Sequence, residues 1–275
     1  MPEADQIRHN GDAAGLSQPS LGWRVEEACL NAWPALRQAQ FAGWVLRFSG
    51  GLTRRANSAN PLGVERADPD ALIAGCEAFY RFQRQPTIFR LPSLIGPALD
   101  ERLAARGYGG EGPSLVLYAE IGHIPAAHDP AVRILPRPSA DWLAAMGVLQ
   151  RHTKQQAALY RRIVGALAIP AAFAAFPEAD GVAALGFGAI HDGVICYESI
   201  VTDPRRLRRG YARRLIATLA AWAVEQGASG ACLEVEAANM PALALYAALG
   251  FGELYRYHYR REPTPTQTGR PGRPL

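Results

Sequence analysis

The segment Val194–Gly227 constrains the fold more than any other part of the sequence. It begins with the apolar run VICYESIV, continues through the arginine-rich turn DPRRLRRGYA, and ends in a long stretch that stops at Gly227. Apolar residues recur every three or four positions from Ala212 to Ala223, which predicts a helix with one buried face. A strand that passes through a glycine-containing turn into a helix is typical of α/β proteins.

A similar alternation of strand-like and helix-like segments extends over most of the chain. Asp68 followed by Pro69 predicts the start of a helix, and Asn239 is predicted to cap another. The residues His191–Gly193 separate two apolar runs and predict a hairpin turn, and residues 53–59 (TRRANSA) are interpreted as a strand. The sequence therefore predicts an α/β protein in which helices pack on a mixed sheet.

A proline-rich stretch divides this pattern into two halves. Four prolines fall between Gly122 and Ser139. Both ends of the chain are rich in polar and small residues, which is typical of poorly ordered segments. The predicted segments are a disordered N-terminus (1–20), a first domain (21–122), a linker (123–131), a second domain (132–261) and a disordered tail (262–275).

The composition limits the range of functions. The formal net charge is only +4, from 29 basic and 25 acidic residues, so a protein that binds a polyanion over its whole surface is not expected. The sequence has no apolar leader and no apolar run of about 18 residues, which predicts a soluble, cytoplasmic protein that does not bind membranes. The cysteines and histidines lack metal-ligand spacing, so we expect isolated buried thiols and no metal. They are Cys29, Cys76, Cys196, Cys232, His9, His123, His128, His152, His191 and His258.

The turn Asp203–Leu215 (DPRRLRRGYARRL) has the features of an anion site. The first N–H groups of a helix lack intrahelical partners and carry partial positive charge. Gly210 and Ala212 are small, so an anion can approach the main-chain N–H groups of the turn. The six arginines of the turn can donate paired hydrogen bonds to phosphate. A nucleic-acid-binding module that uses the Arg205–Arg214 cluster is an alternative, but interleaved aromatic residues are missing, so no nucleic-acid partner is expected.

The second half resembles the GNAT family of acyl-CoA-dependent N-acyltransferases. The resemblance rests on VTDPRRLRRGYARRLIATLAAWA and on NMPALALYAALGF with the YRYHYR that follows. Pro204, Gly210 and Ala212 match the family's pyrophosphate loop, whereas Leu207 stands where the family has Arg or Gln. The first half looks like the non-catalytic half of tandem GNAT-like proteins. The resemblance thus implies the GNAT fold in two tandem units, of which only the second binds a cofactor.

The resemblance also implies a cosubstrate and its contacts. The cosubstrate is acetyl-CoA or another short acyl-CoA, the partner is a primary amine on a small molecule, peptide or protein, and the protein is a monomer or homodimer. The end of the strand before the turn binds the pantetheine arm, and the turn holds the pyrophosphate. The cofactor-binding residues so implied are Ile200, Val201, Thr202, Leu207, Arg208, Arg209, Gly210, Tyr211, Ala212, Arg213 and Asn239. The remaining arginines, Arg205, Arg206 and Arg214, are expected to face water or the 3′-phosphate.

Two residues are the candidates for catalysis by direct transfer. Tyr246 stands where the family often places a tyrosine that protonates the departing thiolate. Glu198 is the candidate base for the amine, because strand alternation would place it on one face with Ile200 and Thr202. Glu234 and Glu236, on the next predicted strand, are rival bases. A catalytically inactive acyl-CoA sensor or scaffold remains the alternative function.

Overall fold

The computed structural model describes residues 19–64 and 67–264, so the predictions for residues 1–18 and 265–275 fall outside the described residues. Helices and strands alternate as the sequence predicts. The helices are α1 (Leu21–Ala32), α2 (Pro69–Phe82), α3 (Ala98–Ala105), α4 (Ala140–Leu149), α5 (Lys154–Gly165), α6 (Tyr211–Glu225) and α7 (Met240–Ala247). The strands are β1 (Arg37–Phe41), β2 (Trp44–Phe48), β3 (Ala59–Pro61), β4 (Ile88–Pro92), β5 (Gly109–Glu120), β6 (Arg133–Leu135), β7 (Ala171–Glu178), β8 (Gly181–His191), β9 (Val194–Thr202), β10 (Gly230–Glu236) and β11 (Gly252–Arg261).

All described strands belong to one mixed sheet, in the order β1-β2-β3-β4-β11-β5-β10-β9-β8-β7-β6. The strand β5, from the first half, lies between β10 and β11 of the second half and is antiparallel to both. In return β11 pairs with β4 of the first half. The mixed α/β fold is confirmed, and the two halves exchange strands at the centre of the sheet. The proposed linker 123–131 connects β5 at this centre with β6 at the edge.

Local signals place the element boundaries well. The Asp68 side chain accepts a hydrogen bond from Ala71 N at 2.9 Å, and the Asn239 side chain accepts one from Ala242 N at 3.2 Å, so both predicted caps are confirmed. Asp192 and Gly193 have φ values of 44° and 72° and join β8 to β9, as the hairpin prediction requires.

The prediction of a strand at residues 53–59 is wrong. Residues Arg55–Asn57 form a short 3-10 helix, and β3 begins only at Ala59. The cause is Asn57, whose side-chain oxygen accepts hydrogen bonds from Ser49 N (2.8 Å) and Gly51 N (3.1 Å). These side-chain bonds to nearby backbone compete with a strand ladder and hold a compact turn.

The second half of the sheet is covered on both faces. Helix α6 packs on one face through Leu215, Ile216 and Leu219. The other face is covered by α4, α5 and α1, and α1 comes from the first half. Burial of these apolar faces supplies most of the driving force for the fold, at about 25 cal/mol per Å². The packing of α1 therefore adds a second connection between the halves.

Candidate active site

The site begins where β9 and β10 separate. These parallel strands pair only from Val194↔Gly230 to Tyr197↔Leu233, although β9 continues to Thr202 and β10 to Glu236. Beyond the last pair, β9 stays bonded to β8 and β10 stays bonded to β5, so a gap opens between them. The two strand edges that face this gap have backbone groups without a strand partner, and a ligand with amide groups can bond to them.

A β-bulge shapes the β9 side of the gap. The register of β8 and β9 jumps from Phe187↔Glu198 to Leu185↔Val201, and Ser199 has a left-handed φ of 55°. The prediction that Glu198 and Ile200 share one face is wrong, because the extra residue reverses the alternation. Ile200 packs on the α6 face, whereas Glu198 lies on the α1 face, where its carboxylate is 3.8 Å from Cys196 Sγ.

Three arginines of the turn after β9 are engaged by carboxylates. Arg205 pairs with Asp203 at 2.7 Å, Arg206 pairs with Asp180, and Arg214 pairs with Asp129. The hydrogen bonds and charge of Arg205 lower the pKa of Asp203 to about 2, so this carboxylate stays ionised. The Arg206 side chain is only 11% exposed, so the expectation that it faces water is wrong. The other two side chains, Arg205 and Arg214, are 73% and 47% exposed.

The other three arginines surround the start of α6 without such partners. Within residues 19–64 and 67–264, Arg208, Arg209 and Arg213 make no ion pair, and all three are exposed. Gly210 is the N-cap residue of α6, has a φ of 79°, and offers no side chain to the first N–H groups. In contrast, side chains cap α2, α4, α5 and α7. The start of α6 thus combines uncapped amides with free guanidinium groups, which suits a phosphate.

The remaining residues predicted to bind the cofactor lie around this turn. Leu207 is exposed at 57% and lies directly before Arg208, whose φ of 62° is unusual for a residue with a side chain. Tyr211 donates a hydrogen bond to Glu178 at 2.9 Å, and Ala212 is half-buried in the first turn of α6. The end of β9, Ile200–Thr202, leads into the turn.

Tyr246 approaches the gap from the α6 face. Its ring is 8% exposed and packs edge-on against Phe251 at 5.9 Å. Burial, with a contribution from the charge of Glu198, raises the pKa of Tyr246 to about 12. Its hydroxyl makes no hydrogen bond within the described part of the chain and keeps its proton at neutral pH, as a proton donor must. Tyr246 and Glu198 therefore lie toward opposite faces of the sheet.

The candidate bases are held by arginines that the sequence did not reveal. Arg55, from the first half, bonds to Glu198 at 2.8 Å and also pairs with Glu234. Arg90 bonds to Glu234 at 2.7 Å and pairs with Glu26 on α1. These side chains form a buried chain of alternating charge, in the order Glu26, Arg90, Glu234, Arg55 and Glu198. The third candidate, Glu236, is exposed and lies 3.5 Å from Arg54.

A third arginine fixes the backbone that carries Arg55. Arg47 is 2% exposed and donates hydrogen bonds to the carbonyl groups of Leu30 (3.1 Å) and Arg55 (3.2 Å). Burial, together with the charges of the neighbouring arginines, lowers the pKa of Arg47 to about 9, so it is still charged at neutral pH. For Arg55, burial lowers the pKa, but the charge of Glu198 and its hydrogen bond outweigh burial and raise it overall.

The thiols do not lie apart as expected. Cys29, Cys196 and Cys232 meet in space, with sulfur–sulfur distances of 3.9 Å from Cys29 to each of the others. All four cysteines are buried, as predicted. The hydrogen bond with Cys196 and burial raise the pKa of Cys29 well above its usual value, so this thiol is a poor nucleophile. That the protein uses no metal stays a prediction.

Comparison with known proteins agrees with this geometry. The family model described as "Probable histone acetyltransferase Rv0428c C-terminal" matches residues 23–260. The chain belongs to this family. The family match extends across both halves, as does the sheet. No helix within the described residues has the length and apolar character needed to cross a membrane.

Curated relatives of this chain are named as N-acetyltransferases. It is 25% identical over 241 residues to the uncharacterized N-acetyltransferase YobR of Bacillus subtilis, a match that covers 86% of this chain and 97% of the relative. A shorter match, 42% identical over 65 residues, covers 24% of this chain and 44% of an aminoglycoside N(6′)-acetyltransferase type 1 of Serratia marcescens. These names support acyl transfer as the general chemistry.

Solved structures show the same fold. A GCN5-related N-acetyltransferase from Kribbella flavida superposes with a TM-score of 0.66 at 16% identity, over 89% of this chain and 96% of that one. A tandem GNAT protein from the clavulanic acid biosynthesis pathway superposes with a TM-score of 0.58 at 13% identity, over 74% of each chain. The prediction of a GNAT fold agrees with both structures, and the predicted tandem arrangement is consistent with the second.

Proposed function

We propose that this protein transfers an acetyl group, or another short acyl group, from acyl-CoA to a primary amine. The observation that carries the proposal is the gap between β9 and β10, because it leads directly to the uncapped start of α6. Two parts of CoA match these two features. The strand edge with free amides suits the pantetheine arm, and the helix start with free guanidinium groups suits the pyrophosphate. The second half would hold the cosubstrate.

The residues divide into two sets of contacts. The backbone of Ile200, Val201 and Thr202 would bond to the pantetheine amides, with Asn239 near the same arm. The amides of Gly210, Tyr211 and Ala212 would bind the pyrophosphate, and Leu207, at the usual Arg or Gln position, would contribute only backbone. The guanidinium groups that assist are those of Arg208, Arg209 and Arg213. This division follows from which arginines lack carboxylate partners.

Acyl transfer then needs two proton movements. The ammonium group of the acceptor gives one proton to Glu198, and the free amine attacks the thioester carbonyl. The carbon–sulfur bond breaks, and the departing sulfur takes a proton from the Tyr246 hydroxyl. As the amide forms, the nitrogen loses its second proton, which restores the Tyr246 hydroxyl, and Glu198 releases its proton to water. The products are therefore an amide, free CoA thiol and one proton. The positions of Glu198 and Tyr246 on opposite faces of the gap support this order of events.

The proposed acceptor is a primary amine, and a screen must establish which class of molecule carries it. The matched family is described by a probable histone acetyltransferase, and one relative is named for aminoglycosides, so both protein and small-molecule amines belong in a screen. A purely CoA-binding sensor would also have the gap and the helix start. We expect turnover instead, because Tyr246 lies in the apolar cluster on the α6 face with its hydroxyl unbonded within the described residues, where it would serve as a proton donor.

The test is binding followed by turnover. Acetyl-CoA is expected to raise the melting temperature, and an amine panel is expected to release free CoA thiol. Stabilisation without thiol release over a broad panel would instead establish a sensor. Gly210→Asp should abolish acetyl-CoA binding, because a carboxylate would repel the pyrophosphate at the start of α6.

Two variants control for other effects of this substitution. Gly210→Asn has a similar size but no charge, so it should retain more binding than Gly210→Asp. Gly227→Asp makes the same change at another left-handed glycine, at the far end of α6, and should bind acetyl-CoA normally if it folds. Unchanged acetyl-CoA binding in Gly210→Asp would contradict the proposed pyrophosphate site.

A further inference from the structure

Arg55 spans the point at which β9 and β10 stop pairing. The last backbone pair is Tyr197↔Leu233, and the next residue on each strand is a glutamate, Glu198 on β9 and Glu234 on β10. The Arg55 guanidinium bonds to both carboxylates, and its side chain is 15% exposed. An ion-paired bridge from the first half therefore takes over where backbone bonding between the two strands ends.

We propose that Arg55 is a positioning residue for the amine: it fixes the Glu198 carboxylate at the opening of the gap, so that the acceptor can give up its proton there. This inference rests on the proposed acyl transfer. It gives the first half of the chain a direct part in the reaction. From the prediction that this half lacks a cofactor site, one would expect it to be only a scaffold.

The two carboxylates have different surroundings, which distinguishes their roles. Glu234 is held by two arginines, Arg55 and Arg90, and Arg90 is fully buried. Glu198 has Arg55 alone on one oxygen, and the weak donor Cys196 Sγ at 3.8 Å on the other. A thiol competes poorly with an ammonium group for a carboxylate oxygen. Glu198 is therefore free to accept a proton, whereas Glu234 anchors Arg55.

Loss of Arg55 would change the charge balance around Glu198. A buried carboxylate without a cation is expensive to ionise, so it keeps its proton to higher pH. Fewer molecules would then have a Glu198 carboxylate that can accept a proton from the amine at a pH within the acidic limb. The other arginines of this cluster, Arg90 and Arg47, are bonded to Glu26, to Glu234 and to backbone carbonyl groups, so they do not replace the lost positive charge. Among the described residues, the other titratable groups near Glu198, apart from Glu234, are uncharged thiols and phenols. They are Cys196, Cys232, Tyr160 and Tyr246.

The experiment is the pH dependence of kcat/KM with acetyl-CoA and one active amine. In Arg55→Met, the acidic limb of the profile should move to higher pH by about one unit or more. At a pH within that limb, kcat/KM should therefore fall about tenfold. Arg54→Met is the matched control, because Arg54 is the adjacent arginine and its ion pairs with described residues are to Glu111 and Glu236, at 3.9 and 3.5 Å, and not to Glu198. Its profile should overlay the parent profile.

Further measurements separate positioning from a merely structural role. Acetyl-CoA binding by Arg55→Met should stay within about threefold of the parent, since Arg55 does not belong to the proposed pyrophosphate site. Arg55→Lys keeps one charge and should shift the limb less, and it carries the test if Arg55→Met does not fold. In a Glu198→Gln background, Arg55→Met should cause no additional shift.

Two results would overturn the inference. One is an unmoved acidic limb in a folded Arg55→Met or Arg55→Lys variant. The other is an equal shift with and without Glu198. A parent protein that binds acetyl-CoA but acetylates no amine would instead refute the proposed function itself.

Discussion

Replacing Arg90 by methionine should destabilise the fold severely. The Arg90 side chain is 0% exposed, and its partners Glu26 and Glu234 are 1% and 5% exposed. Removal of the cation leaves two buried carboxylates short of positive charge, and breaking a buried pair in this way costs about 3–5 kcal/mol. The Arg90 guanidinium also lies over the Tyr257 ring, with its central carbon 3.8 Å from the ring centroid. Methionine carries no charge, so it cannot make this cation–π contact.

The loss in free energy of unfolding can be compared with the loss caused by breaking an exposed ion pair. Urea unfolding should show the loss of about 3–5 kcal/mol, and the melting temperature should fall by roughly 6–20 °C. Arg102→Met is the control, because Arg102 and Asp70 are 51% and 41% exposed and Arg106 also pairs with Asp70. Its cost should not exceed about 1 kcal/mol.

The pH dependence tests the cause of the loss. If buried negative charge destabilises Arg90→Met, folded protein should bind more protons than unfolded protein, so the loss should shrink as the pH falls from about 8 to 5. Adding Glu26→Gln and Glu234→Gln should also recover stability, because no charge is then left unpaired. A loss below about 1 kcal/mol, equal to that of Arg102→Met, would refute the reasoning.

Two further predictions concern catalysis and the exchanged strands. Tyr246→Phe should lower kcat by about 10²–10⁴-fold and leave acetyl-CoA binding unchanged. Stopped-flow detection of the released thiol would measure kcat, and an unchanged kcat would exclude Tyr246 as the general acid. Residues 132–261 expressed alone lack β5 and should be insoluble, whereas co-expression with residues 19–131 should give a soluble complex in a pull-down assay. A folded, CoA-binding second half would contradict the second prediction.

Local signals in the sequence predicted the elements around the candidate site. The caps at Asp68 and Asn239 and the turn at Asp192-Gly193 depend on side chains and conformations a few residues apart, so the sequence states them directly. The strand, turn and helix around Gly210 are equally local. The family resemblance then indicated which of these elements could hold a cosubstrate.

Contacts between distant segments could not be predicted in this way. Arg55 meets Glu198 across 143 positions, and no spacing rule connects them. Residues 53–59 were misinterpreted because the Asn57 side chain, not a ladder, organises that backbone. The bulge at Ser199 had one usable signal: a side chain at Gly186, on the neighbouring strand, would come within 2.5 Å of Ile200 Cδ1. A glycine within a strand often marks such a close approach.

The exchange of β5 and β11 limits how the two halves could change during evolution. In an ordinary tandem protein, the first half could shrink or be lost. Here it supplies the strand that holds β10 in place, the helix α1 that covers the sheet, and the arginine that bridges the gap. Selection on acyl transfer would therefore act on residues of both halves, and a domain swap between related proteins at residues 123–131 would have to preserve an interface through the middle of the sheet.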